Sequence, residues 1–260
     1  MLTLKSKDGT TIAYDKLGEG PALINITGAS CFRNFMPIKQ DVKVFAKEFT
    51  VFNYDRRGRG DSGDTQPYAM EREVEDIEAL IDAAGGKAHL YGHSSGAVLA
   101  LEAAMRLPSK VNHVVMYDAA YVADEAEKHT FSEMGKQVKT LLEQNNNKAA
   151  LRTFFTSIGM PKFFVWLLPI FPGWSTMTKL APTLMYDIAL TQDFAPYERV
   201  RSINAPMLLM AGEKSPPGMT RVAKQLAHSV SGAQLDIVAG QDHMVSAKVL
   251  LPKLVKFLKS

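Results

Sequence analysis

Gly92-His93-Ser94-Ser95-Gly96 is the stretch that decides how this chain folds. It follows the β-like run Lys87–Tyr91 and opens the helix-like run Ala97–Leu107. A G-x-S-x-G pentapeptide between a strand and a helix reads as a nucleophile elbow, a strained turn that projects a serine hydroxyl. The two glycines flank Ser94, so Ser94 rather than Ser95 is the candidate nucleophile. Small residues suit the flanks because neighbouring backbone approaches closely at so tight a turn.

Outward from the elbow, strand and helix signals alternate. Leu2–Lys5 and Thr11–Tyr14 are short β-like runs joined across Asp8-Gly9, a hairpin signal. Ala22–Thr27 is nearly continuous apolar sequence, as expected of a strand buried on both faces of a parallel sheet. A helix is expected over Met36–Lys47 and a strand over Thr50–Asp55. Val74, Ile77, Leu80 and Ile81 give Glu71–Ala84 helical spacing, and Gly85-Gly86 ends it. Strands follow at Val111–Asp118, Pro206–Gly212 and Ala233–Ala239, with helices at Met219–Ser229 and within Ala247–Leu258. This order predicts an α/β fold with a mainly parallel, doubly wound sheet.

One interval does not alternate. From Tyr121 to about Asn204 no strand is legible, and Phe154, Phe155, Phe163, Phe164, Trp166, Phe171 and Trp174 crowd a short span. We expect a helical cap over 121–204, set on a core formed by 1–120 and 205–260. Such a cap would lie over the carboxyl edge of the sheet, where open α/β sheets bind ligands. The simpler reading makes each aromatic part of the cap's own core. Asn145-Asn146-Asn147 reads as a loop between helices.

Composition narrows the function classes. At 260 residues with 46% apolar content, the chain can bury a sizeable core. A net charge of +3 with scattered Lys and Arg, apart from Arg56-Arg57-Gly58-Arg59, is no nucleic-acid footprint. The lone Cys31 cannot form an internal disulfide, Met1–Lys7 shows no secretion signal, and the apolar run Phe163–Phe171 is far short of the ~20 residues of a membrane span. A soluble cytoplasmic protein is expected, with a small-molecule substrate, no nucleic-acid partner and no membrane span; composition leaves the oligomeric state open.

A serine hydroxyl needs a base to take its proton. His243, in the loop Gly240-Gln241-Asp242-His243 after the last predicted strand, is the natural choice, because loops at strand carboxyl ends converge on the elbow. His113 falls in a strand, His129 in the cap and His228 in a helix, where core or surface roles are expected. His89 and His93 are four apart, but no further ligand set accompanies them, so no metal is expected and no cofactor. Thr27-Gly28-Ala29-Ser30 lacks the G-x-G-x-x-G of a dinucleotide site.

The strand and loop Ala22–Gly28, the run Tyr54-Asp55-Arg56-Arg57-Gly58-Arg59-Gly60-Asp61-Ser62, the elbow and the late Gly-x-Asp-His loop together resemble the α/β-hydrolase family over essentially the whole chain. The resemblance implies a Ser, acid, His triad and an oxyanion hole with N–H donors on Ala29 and Ser95. It also implies that the Arg-rich loop braces the elbow. The sequence departs from the family at two points. Thr27-Gly28 stands where many relatives have His-Gly, and Gly212-Glu213-Lys214-Ser215-Pro216 puts serine where the acid usually sits. Some relatives carry the acid at the end of the strand after the elbow helix, which here is Asp118; Glu213 and Asp124 are the alternatives. The expectation is a serine hydrolase acting on an ester or related acyl bond of a small, largely apolar substrate, carboxylesterase-like, through Ser94, His243 and Asp118. C–C bond or lactone hydrolysis on the same residues, or a non-catalytic small-molecule receptor of this fold, are the alternatives. Which residues bind substrate is not legible from the sequence.

Overall fold

The computed structural model describes residues 1–260. The chain runs β1 (Leu2–Lys5), β2 (Thr11–Leu17), β3 (Ala22–Ile26), α1 (Met36–Phe45), β4 (Thr50–Tyr54), α2 (Met70–Ala83), β5 (Ala88–His93), α3 (Ser95–Arg106) and β6 (Val111–Tyr117). Helices α4 (Glu125–Glu143), α5 (Asn147–Ser157), α6 (Lys162–Leu167), α7 (Trp174–Leu180) and α8 (Leu184–Thr191) follow without a strand. β7 (Met207–Gly212), α9 (Pro217–Ser229), β8 (Gln234–Val238) and α10 (Ala247–Leu258) complete it. The eight strands form one sheet in the order β1-β2-β4-β3-β5-β6-β7-β8. β1 and β2 are antiparallel to their neighbours and the rest are parallel, as the hairpin and alternation predict.

The central parallel strands are apolar because they are covered on both faces, whereas the edge strand β8 keeps Gln234 and Leu235 exposed. α2, α3 and α9 cover one face, packing Ile77, Leu80, Val98 and Val222 onto β3, β5, β6 and β7. α1 and α10 cover the other, with Phe45, Leu250 and Leu254 against Leu23, Val115 and Leu208. At Gly96 the elbow helix crosses the end of β3 so closely that a Cβ there would sit 2.8 Å from the Thr27 carbonyl oxygen, which only glycine avoids.

The helical insert between β6 and β7 packs around a cluster of its own, including Val138, Leu151, Phe154, Trp174 and Leu184. Its aromatics divide. Phe154, Phe155 and Trp174 are buried, whereas Phe163 and Trp166 are 74% and 68% exposed. The Asn145–Asn147 stretch is only partly loop: Asn146 caps α5, its side chain accepting from the Ala149 N–H, and Asn147 is already helical.

Candidate active site

Four strands end at one edge of the sheet and deliver the candidate residues there. β5 runs straight into Ser94, β6 into Asp118, β7 into Gly212–Ser215, and β8 into the Gly240–His243 loop. Ser94 sits at φ 58°, ψ −124°, a conformation that non-glycine residues rarely hold and that the hydrogen bond from its N–H to the Tyr117 carbonyl (3.0 Å) helps maintain.

Asp118 is fully buried and three donors meet its carboxylate. Oδ2 lies 3.0 Å from His243 Nδ1 and accepts the Ser215 hydroxyl at 2.5 Å, while Oδ1 accepts the Gly212 N–H at 3.1 Å. The serine found at the usual acid position therefore donates to Asp118. Bonding Nδ1 to a carboxylate leaves Nε2 of His243 as the nitrogen free to take a proton. The imidazole is 23% exposed. Ser94 and His243 line the same small cavity, of about 40 Å³, with no direct hydrogen bond between them; such bonds commonly tighten only when substrate arrives.

The alternative acids are engaged elsewhere. Glu213 accepts the Gly240 N–H at 2.7 Å and so shapes the His243 loop from outside. Asp124 caps α4 through the Glu127 N–H and pairs with Arg221. Asp242 accepts the Met244 N–H.

Ala29 and Ser95 both border the cavity beside Ser94. Ser95 is the first residue of α3, so its N–H has no carbonyl a turn earlier to donate to. Gly28 presses on the elbow: a Cβ built on it would lie 2.9 Å from Ser94 Cβ.

Two further residues hold the histidine loop, and sequence reasoning did not single out either for this. Tyr117 donates its hydroxyl to the Asp242 carbonyl at 2.7 Å. His93 Nε2–H donates to the His243 carbonyl at 2.8 Å, and its ring stacks on Tyr117 and lies tilted against His243. Burial, reinforced by the neighbouring His243, pulls the His93 pKa down to about 4, so it is a neutral donor. His89, the other member of the i, i+4 pair, packs instead against His113.

The Arg-rich loop is buried. Arg56 forms a two-pronged pair with Glu73 (2.7 and 2.6 Å), Arg57 one with Asp76, and Arg59 meets Asp187 of α8 at 2.6 Å. A larger cleft of about 920 Å³ opens from Ser94 and His243, walled by Phe155, Met160, Phe164, Leu168, Phe171 and Trp174.

A sheet in this order, with a serine on the strand-to-helix turn and a histidine loop at the last strand, defines a hydrolase-type α/β protein. The sequence model of the alpha/beta hydrolase family matches residues 25–248, and the chain belongs to that family. It is 35% identical to an alpha/beta hydrolase of known structure from Sphaerobacter thermophilus, with a TM-score of 0.89 over 99% of this chain and all of that one. It is 24% identical, over 90% of its length and 88% of the relative's, to "Putative carbamate hydrolase RutD" of Azorhizobium caulinodans. The esterase RhEst1 of Rhodococcus sp. shares the fold at 17% identity, with a TM-score of 0.77 over all of this chain and 98% of the other. No helix is long and apolar enough to cross a membrane.

Proposed function

We propose that this hydrolase cleaves an ester, or a related acyl bond, of a small and largely apolar substrate by nucleophilic attack of Ser94. His243 takes the serine proton and returns it to the leaving group. Asp118 fixes the ring with Nδ1 protonated and stabilises the imidazolium, and the Ala29 and Ser95 N–H groups hold the oxyanion. The observation that carries the reading is the 3.0 Å contact of Asp118 with His243 Nδ1, at a cavity lined by Ser94, Ala29 and Ser95. The insert over 121–204 is the cap of this site, and its apolar wall supplies burial for an uncharged group. The same constellation serves lactone, C–C and carbamate substrates, the last being the chemistry named for the Azorhizobium relative.

The acid is the part most open to test. Asp118→Asn keeps the shape but removes the carboxylate; a like change in a serine protease lowers kcat by about 10⁴ through the wrong histidine tautomer. Glu213→Gln and Asp124→Asn should leave kcat within about tenfold of wild type. Ester turnover by the three variants, each checked for folding by circular dichroism, decides it. A crippled Glu213→Gln beside an active Asp118→Asn would overturn the assignment.

A further inference from the structure

The buried charge cluster around Asp187 reaches both groups proposed to hold the oxyanion. Arg59 Nη1 donates to the Gly28 carbonyl at 2.8 Å, and Arg59 Nη2 to Asp187 Oδ2 at 2.6 Å. Asp187 Oδ1 accepts from Arg56 at 2.8 Å and from the Ser95 hydroxyl at 2.7 Å, while Arg56 also donates to that hydroxyl at 3.2 Å. All three charged side chains are essentially inaccessible to solvent. Burial alone would push the Asp187 carboxyl up, but Arg59 and Arg56 outweigh it and hold the group below the ordinary carboxylate range.

The Gly28 carbonyl and the Ala29 N–H are the two ends of one peptide unit. In a planar trans peptide they point in opposite directions. Anchoring the oxygen on Arg59 therefore fixes the plane and turns the Ala29 N–H away from the arginine. A cationic donor on the carbonyl also polarises the unit and strengthens its N–H as a donor. On the other side, the Ser95 hydroxyl is used twice, giving to Asp187 and accepting from Arg56, which pins the first residue of α3. Both arms converge on one carboxylate, and that carboxylate belongs to α8 of the helical insert, not to the sheet.

We propose that Arg59 and Asp187 are positioning residues for the oxyanion hole, so that docking of the insert helix α8 sets the two N–H donors; this rests on the serine-hydrolase reading above. A cluster that only stabilised the fold would affect ground state and transition state alike. One that aims the oxyanion donors affects the transition state alone.

The test uses Arg59→Lys, Asp187→Asn, Ser95→Ala and Ser94→Ala in the full-length protein. Arg59→Lys keeps the charge but offers one nitrogen where two nitrogens serve separate acceptors. The probes are a p-nitrophenyl ester, a trifluoromethyl ketone, and the alcohol of the same shape. When the ketone binds, Ser94 Oγ bonds to its carbonyl carbon, the C=O electron pair moves onto oxygen as the oxyanion, and the serine proton passes to His243. Loss of a whole oxyanion donor costs about 10²–10³ in kcat elsewhere. Misaimed donors should accordingly cost Arg59→Lys and Asp187→Asn about 10- to 100-fold in kcat, with KM within about threefold. The ketone should weaken by the same factor and the alcohol by less than threefold. Unchanged kcat and ketone affinity in a folded Arg59→Lys or Asp187→Asn protein would overturn the proposal, as would equal loss for ketone and alcohol. If neither folds, Ser95→Ala decides, since it deletes one hydroxyl: a loss of about threefold or more, paired in kcat and ketone affinity, supports the proposal, and none overturns it. Wild-type turnover by Ser94→Ala would instead overturn the nucleophile assignment, and this proposal with it.

Discussion

At the scale of single residues, the proposed nucleophile and base were chosen from the sequence because residues of that chemistry leave a local signature. Ser94 is bracketed by glycines, and His243 follows a glycine just past a strand. Asp118 was singled out only by resemblance, since nothing adjacent in sequence reveals that Ser215 and Gly212, nearly a hundred residues later, donate to it. Asp187 was not read at all, although a lone carboxylate in the apolar run Leu184–Leu190 is itself a sign of a buried partner. The strain at Ser94 makes a prediction of its own. Holding a serine at φ 58°, ψ −124° costs about 1–3 kcal/mol, and glycine would relieve it while adding about 0.4–1 kcal/mol of unfolded-state entropy. Ser94→Gly should therefore be inactive yet more stable than wild type by about 1 kcal/mol, seen as a melting temperature raised by roughly 2–4 °C. A lower melting temperature would contradict the strain.

At the scale of elements, periodicity located the strands and the helices that cover the sheet, but not the five separate helices of the insert, because burial on both faces makes the central strands apolar and amphipathic helices cover them. Ends shifted by up to three residues: β2 runs to Leu17 rather than Tyr14, α1 stops at Phe45 rather than Lys47, and β5 continues through His93 into the turn. The contacts that hold the Gly240–His243 loop were invisible, since they run from the ends of β5 and β6 across the sheet edge. His93 gives that loop a pH dependence with a definite sign. Its folded pKa is about 4 against an ordinary 6.5, so on acidification the unfolded chain takes the proton first. The stability held above pH 6.5 is lost progressively as pH falls from 6.5 towards 4. His93→Gln keeps an N–H donor for the His243 carbonyl but cannot titrate. Between pH 7 and pH 5 the wild type should lose about 1–2 kcal/mol more than the variant by urea denaturation. Parallel losses in the two proteins would remove His93 from the account.

At the scale of the whole molecule, the alternation of elements gave the sheet, and its interruption gave the insert, but not the shape of the space between them. That space depends on which aromatics turn inward, a matter of tertiary packing that periodicity does not encode. Ser94 and His243 border both a cavity of about 40 Å³ and the cleft of about 920 Å³. A substrate lying across the serine thus has room for one short arm and one bulky apolar arm. Acetates of bulky alcohols or methyl esters of bulky acids should be turned over, and esters bulky at both ends should be rejected by at least about tenfold in kcat/KM, which corresponds to ~1.4 kcal/mol. Equal rates across the set would show that the small cavity does not limit the substrate. The central claim, that Ser94 is an activated nucleophile, has a more direct measurement: treatment with a fluorophosphonate, followed by intact mass and peptide mapping. A single adduct is expected on the peptide carrying Ser94, absent in Ser94→Ala and strongly slowed in His243→Ala. No adduct on the folded wild type, or one on another residue, would contradict the claim.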